Sequence, residues 1–137
     1  MVTKISKKDF RKLLDELNIS SKLTENGFIS VILDADEDFG YDVVVFFNVD
    51  ENSGELTGLS STVGTDFDIP DNELANSYII CNEWNSTHIV KAYVRDNSFW
   101  TRYIVFNDES VSEDFIKENF IKICIGISWK FYCSLVK

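Results

Sequence analysis

Proline occurs once and glycine six times in 137 residues. A long flexible linker needs more of both, so the chain reads as a single domain over residues 1–137, long enough to bury a real core. Histidine also occurs once, at His88, and no cysteine stands within ligand spacing of it, which makes zinc a poor match. Cys81, Cys124 and Cys133 are odd in number and form no C-x-x-C; they read as buried free thiols of a reducing, cytoplasmic compartment. Lys and Arg are missing altogether from residues 23–90, a span that holds fourteen Asp and Glu. The net charge of −10 opposes binding to nucleic-acid phosphate. A membrane span wants about 20 nearly uncharged residues. The most apolar stretch, Phe120–Val136, is interrupted by Lys122 and Lys130, and the N-terminus has no signal-peptide apolar core.

Catalytic signatures are missing too. There is no G-x-S-x-G and no P-loop. Asp34-Ala35-Asp36-Glu37-Asp38 opens like a calcium loop, but the glycine falls one place late, at Gly40, and the twelfth position is Val45 instead of Glu. The run reads as an acidic hairpin turn. The expectation is a protein with no catalytic residue, no metal and no cofactor.

What is present is apolar patterning. Apolar residues make up 45% and aromatics 14%, with eleven Phe, which argues against disorder. Phe10, Leu13, Leu14 and Leu17 stand at i, i+3, i+4 and i+7 and predict a helix over Lys7–Leu17, with Ser6 as N-cap and Asn18 at its end. Phe28–Ala35 alternates, Tyr41–Val49 is almost continuously apolar, and Glu55–Val63 is a weaker third strand; short turns make them an antiparallel meander. A second helix starts at Pro70 and keeps Leu74, Tyr78, Cys81 and Trp84 at helical spacing, with Asn85 as C-cap. Thr87–Arg95 and Phe99–Asn107 are two more strands, joined by Asp96-Asn97-Ser98. Ser110-Val111-Ser112-Glu113 fits a capping box and opens a third helix that runs to the C-terminus, acids first and lysines last, as the helix dipole favours. The fold class is α+β, in the order α-β-β-β-α-β-β-α, with helices packed on an antiparallel sheet.

At a uniform 100° per residue the third helix carries two apolar stripes. Ile116, Phe120, Ile123, Cys124, Ile127 and Phe131 form one; Ile121, Ile125, Trp129, Tyr132 and Val136 form the other, about 150° away. The first packs on the sheet. The second is taken either by the first helix or by a homodimer or partner.

Asn82-x-Trp84-Asn85, then Ile89-x-Lys91-Ala92-Tyr93, then Val111-Ser112-Glu113-x-x-Ile116 resemble the YbjN-like family, bacterial proteins described as sensory-transduction regulators. The resemblance covers residues 76–120. It departs at the turn, where Asp96-Asn97-Ser98 replaces an acidic-glycine hairpin. It implies the fold of type III secretion chaperones, a twisted antiparallel sheet with helices on it, often dimeric, and a regulatory or chaperone-like role without enzymatic activity. On these grounds the chain is expected to be a protein-binding adaptor and homodimer. Its contact residues would be the second stripe (Ile121, Ile125, Trp129, Tyr132, Val136) and the outward aromatics Tyr93, Phe99 and Tyr103. Asn82, Trp84 and Asn85 are expected to be structural: Trp84 anchors the second helix and Asn85 caps it. The rival expectation is an immunity or inhibitor protein whose base-free span masks a basic partner.

Overall fold

Strand Val43–Val49 is an inner strand of the sheet as its continuous apolar run predicts, but only Val43, Val45, Phe47 and Val49 are buried; Val44 and Phe46 on its other face stay half-buried, so the strand is not covered on both faces. The computed structural model describes residues 5–49, 58–106 and 112–136, the Phe106 side chain excepted. The elements are α1 (Lys7–Glu16), β1 (Lys22–Leu23), β2 (Ile29–Leu33), β3 (Val43–Val49), β4 (Gly58–Thr65), α2 (Leu74–Asn85), β5 (Lys91–Arg95), β6 (Ser98–Phe106), α3 (Glu113–Ile116) and α4 (Lys122–Ser134). A 3-10 turn, Asp71–Glu73, leads into α2, and a π-helical segment, Lys117–Ile121, joins α3 to α4 in one continuous rod. The six strands form one antiparallel sheet in the order β1-β2-β3-β4-β6-β5.

All the helices pack on one face of this sheet. Ile29 and Val31 of β2, Val43, Val45, Phe47 and Val49 of β3, and Leu59 and Val63 of β4 are at most 2% exposed there. They meet Phe10, Leu13 and Leu14 of α1 and Phe120, Cys124 and Phe131 of the C-terminal rod. Phe10, Phe47 and Phe120 form a mutual ring cluster with centroids 5.1–6.0 Å apart. Ser6 caps α1 by accepting from the Asp9 amide, and Asn18, at φ 61°, ends it in the left-handed conformation Asn tolerates.

Several elements differ from expectation for local reasons. β1 is an additional strand of two residues, held by the Thr24 amide, which donates to Phe28 O at 2.8 Å. The third strand of the expected meander lies at Gly58–Thr65, and residues 55–57 of its expected span are outside the described residues. α2 buries Ser77 and Cys81 and turns Tyr78 to solvent, 55% exposed, so Tyr78 is not on the packing stripe. The fourth strand begins at Lys91; Thr87 belongs to the turn that closes α2, its amide donating to Trp84 O, and residues 88–90 precede the strand. The turn between β5 and β6 has two residues, Asp96 and Asn97, both at positive φ (51° and 59°), the geometry that matches strand twist in tight hairpins. Ser98 belongs to β6. The last helix starts at Glu113 with Ser112 as N-cap, accepting from the Phe115 amide; Ser110, its expected cap, is outside the described residues. Among the described residues no helix is long and apolar enough to cross a membrane.

Candidate partner-binding groove

The Asn82-Glu83-Trp84-Asn85 corner is a clamp on the edge of the sheet. Asn85 is still helical and does not act as C-cap; Ser86 takes that position. The Asn85 amide pairs with one residue of β5 as a neighbouring strand does: its Nδ2 donates to Ala92 O at 2.9 Å and its Oδ1 accepts from Ala92 N at 2.7 Å. One position earlier on that edge, Trp84 Nε1 donates to Val90 O at 2.9 Å. The indole stacks on the His88 ring at 3.5 Å and sets its edge against Phe131 at 5.1 Å. Lys91 Nζ closes the loop by donating to the carbonyls of Asn85 and His88. Trp84 and Asn85 thus bond to backbone just before and within β5, at Val90 and Ala92, while Asn82 is exposed and its carbonyl accepts from Ser86 N.

The C-terminal rod does not keep the two stripes a uniform helix would have. The π segment, bonded i to i+5, turns less per residue than an α-helix, so Phe120 and Ile121, adjacent in sequence, both reach the core at 0% exposure. Ile121 is therefore core and not interface. Tyr132 is core as well, at 0% exposure; its hydroxyl lies 2.8 Å from Phe99 O and 3.0 Å from Val63 O and shares its single proton between them. Val136, 56% exposed, lies beyond the end of α4. Ile125 and Trp129 remain half-buried on the flank of the rod.

The three aromatics do not share a surface either. Tyr93 pairs across the hairpin with Trp100 on the face away from the helices. Phe99, 3% exposed, and Tyr103 point to the helix side. Tyr103 stacks on Phe120 at 5.8 Å and donates to Asn119 O. Phe99 is thus a core residue, and only Tyr93 faces outward as expected. The helix-free face carries Ile32, Val44, Phe46, Tyr93, Trp100 and Ile104, with Trp100 lying so close over Gly64 that a Cβ there would come within 2.6 Å of its ring.

Ile125 and Trp129 line an apolar groove of about 450 Å³ with Ile32, Leu33, Asp34 and Gly126. Its wall is fixed from below. Asp36 Oδ1 accepts from the amides of Asp38 and Phe39, and Asp36 N donates to Phe39 O. That turn drives Phe39 into the core, 1% exposed, edge-on to Trp129 at 6.2 Å and against Tyr132 at 5.3 Å. The acidic run is thus a hydrogen-bonded turn with its remaining carboxylates exposed. Among the described residues no group of three or more His, Cys, Asp or Glu is placed to hold a metal ion. Ile32, Leu33 and Gly126 are the groove residues sequence reasoning missed. Their signals were an isoleucine on the otherwise polar face of an alternating strand and a glycine inside an apolar helix.

The shifted ionisable groups lie in the core and not in the groove. Burial pushes the Cys81 thiol up to about 11. Burial pushes Cys124 up to about 12 against the opposing pull of Ser61 and Ser128. The phenols of Tyr103 and Tyr132 are raised by burial first, then by Cys124 for Tyr103 and by Tyr93 and Cys81 for Tyr132. All four are held neutral at pH 7, with Cys124 donating to Ser61 Oγ and Thr101 paired to Ser128 at 2.8 Å. The chain matches no family model and no curated protein sequence.

Proposed function

We propose that the chain is a non-catalytic protein-binding adaptor, regulatory or chaperone-like in the manner of the YbjN-like proteins it resembles, working in the cytoplasm as a small acidic homodimer. The observation that carries this reading is the apolar groove between β2 and α4, where Ile125 and Trp129 stand beside an exposed Ile32. A contiguous apolar surface with one carboxylate, Asp34, at its rim suits a protein partner better than a charged small molecule. The helix arrangement, all on one face of a twisted antiparallel sheet, also fits the type III secretion chaperone architecture, although fold by itself does not fix function.

The test is partner capture from the native host by the wild type and by an Ile125→Lys, Trp129→Lys double variant. One protein that co-purifies with the wild type and is lost from the double variant supports the reading; a partner held equally by both removes this flank of the rod from it. Both side chains are only half-buried, so the double variant is expected to fold, which circular dichroism checks. Light scattering tests the dimer, with Phe46→Lys on the helix-free face as the comparison. A wild type with the mass of one chain at all concentrations defeats that part of the proposal.

A further inference from the structure

The two edges of the sheet are treated differently. An exposed strand edge is a row of unpaired backbone groups, and proteins usually blunt it. At the β5 edge the carbonyl of Val90 and both backbone groups of Ala92 are occupied by Trp84 and Asn85. At the other edge, β1 covers β2 only at Ile29 and Ser30. The bond from Thr24 N to Phe28 O fixes the alternation, so Phe28, Ser30 and Ile32 turn their N–H and C=O outward. Lys22 stands opposite Ser30, and no β1 residue stands opposite Ile32. Among the described residues the edge is open from Val31 to Leu33, with the Ile32 side chain 55% exposed.

This open backbone borders the groove. Leu33, Ile125, Gly126 and Trp129 lie along one side of it. Gly126 costs the helix about 1 kcal/mol relative to alanine. Among the described residues nothing crowds it: a Cβ built there meets no atom within 4 Å. A helix-interior glycine facing open space next to a free strand edge leaves room for another backbone to lie close. Charge gives the occupant its sign. Asp34 lines the groove, and Glu37 and Asp38 follow in the exposed turn; among the described residues none of the three makes an ion pair.

Resting on the adaptor reading, we propose that β2 accepts an extended segment of a partner protein as an added strand at Val31–Leu33, with apolar side chains at alternate positions seated over Gly126 between Ile125 and Trp129, and a Lys or Arg next to them meeting Asp34 and its acidic turn. Main-chain pairing supplies affinity and the alternating pocket supplies selectivity. A second copy is a poorer occupant. β2 paired antiparallel to β2 about a two-fold axis at Ile32 sets the Asp34 position of each copy against the Ser30 position of the other, where β1 already occupies the edge.

The probe is a random 12-residue peptide library displayed on phage, panned against the full chain. The best binders are then synthesised and titrated calorimetrically. Peptides with apolar residues at i and i+2 and a neighbouring Lys or Arg are expected, with slowed exchange of the Ile32 amide on binding. Two variants leave the fold intact. Ile32→Pro removes an outward N–H together with an exposed isoleucine side chain, a change an edge strand tolerates. Gly126→Leu fills the groove from a residue with open space above it. Each is expected to weaken binding at least tenfold. Selected peptides with apolar residues at helical spacing, or binding unchanged in both variants, overturn the added-strand proposal and leave the adaptor reading to the capture experiment. No enrichment at all counts against both. A concentration-dependent dimer abolished by Ile32→Pro and Gly126→Leu assigns the groove to a second copy and overturns the proposal.

Discussion

Asn85→Ala tests whether the corner works as a clamp. The side chain makes two bonds to Ala92, at 2.7 and 2.9 Å, and Ala92 is 3% exposed, so water cannot easily replace them. Each such bond is worth roughly 0.5–1.5 kcal/mol net, and stranding a buried partner costs about 1–3 kcal/mol. Alanine returns about 0.6 kcal/mol through its better helix propensity. The expected loss is about 2 kcal/mol, read as a lower urea midpoint with an unchanged slope. Asn85→Asp separates pairing from packing. It keeps the volume and the acceptor for Ala92 N–H, but it sets a carboxylate oxygen against Ala92 O, so it should destabilise at least as much as alanine. Native-state hydrogen exchange adds a local readout, in which the Ala92 amide exchanges faster in the alanine variant. An Asp variant within 0.5 kcal/mol of the wild type, with Ala92 exchange unchanged, refutes the pairing argument.

Phe39→Ala should cost about 3–5 kcal/mol, as for other fully buried aromatics, and should loosen Trp129 in the groove wall; red-shifted tryptophan emission with little change in the far-ultraviolet spectrum would show this, and stability within 1 kcal/mol of the wild type would contradict it. Cys124 gives an alkaline signature. Its folded pKa is raised from 9.0 to about 12, so between those values the folded state keeps a proton that the unfolded state releases, and stability falls as pH rises from about 9. Cys124→Ala should be less stable at pH 7 but should lose stability less steeply between pH 9 and 11, by up to about 1.4 kcal/mol per pH unit. Parallel curves for the two proteins under reducing conditions would refute that assignment.

Local pattern carried the parts of the fold that depend on one element alone. The α1 stripe Phe10, Leu13 and Leu14 is buried as its spacing requires, and the continuous apolar run of β3 is an inner strand, though only its Val43, Val45, Phe47 and Val49 face is buried. Failures arose where one residue of phase mattered. A three-residue turn at Asp96-Asn97-Ser98 would pair Arg95 with Phe99 and set Tyr93 on the same face as Phe99 and Tyr103. The observed two-residue turn pairs Arg95 with Ser98, and a one-residue slip moves a whole strand's side chains to the other face. The same happened in the last helix, where a fixed 100° step cannot foresee the π segment that sends both Phe120 and Ile121 inward. The groove was half legible: Ile125 and Trp129 were on the expected stripe, but Ile32 and Leu33 join them only through a tertiary contact.

The same physics accounts for the clamp and the groove. A six-stranded open sheet has two edges, and both invite pairing with another chain. This chain closes the β5 edge with polar side chains from α2, a solution that needs a helix already packed beside the strand. On the β2 side β1 reaches only two residues, and just before them Arg11 ties Ser21 back to α1, its Nε donating to the hydroxyl and an Nη to the carbonyl. Releasing that tether would let β1 lengthen along β2 and cover Ile32. Arg11→Ala should therefore raise protection of the Ile32 amide in the free protein and weaken peptide binding, although it touches no residue of the groove. Unchanged Ile32 exchange in that variant would mean that the open edge is set by β2 itself.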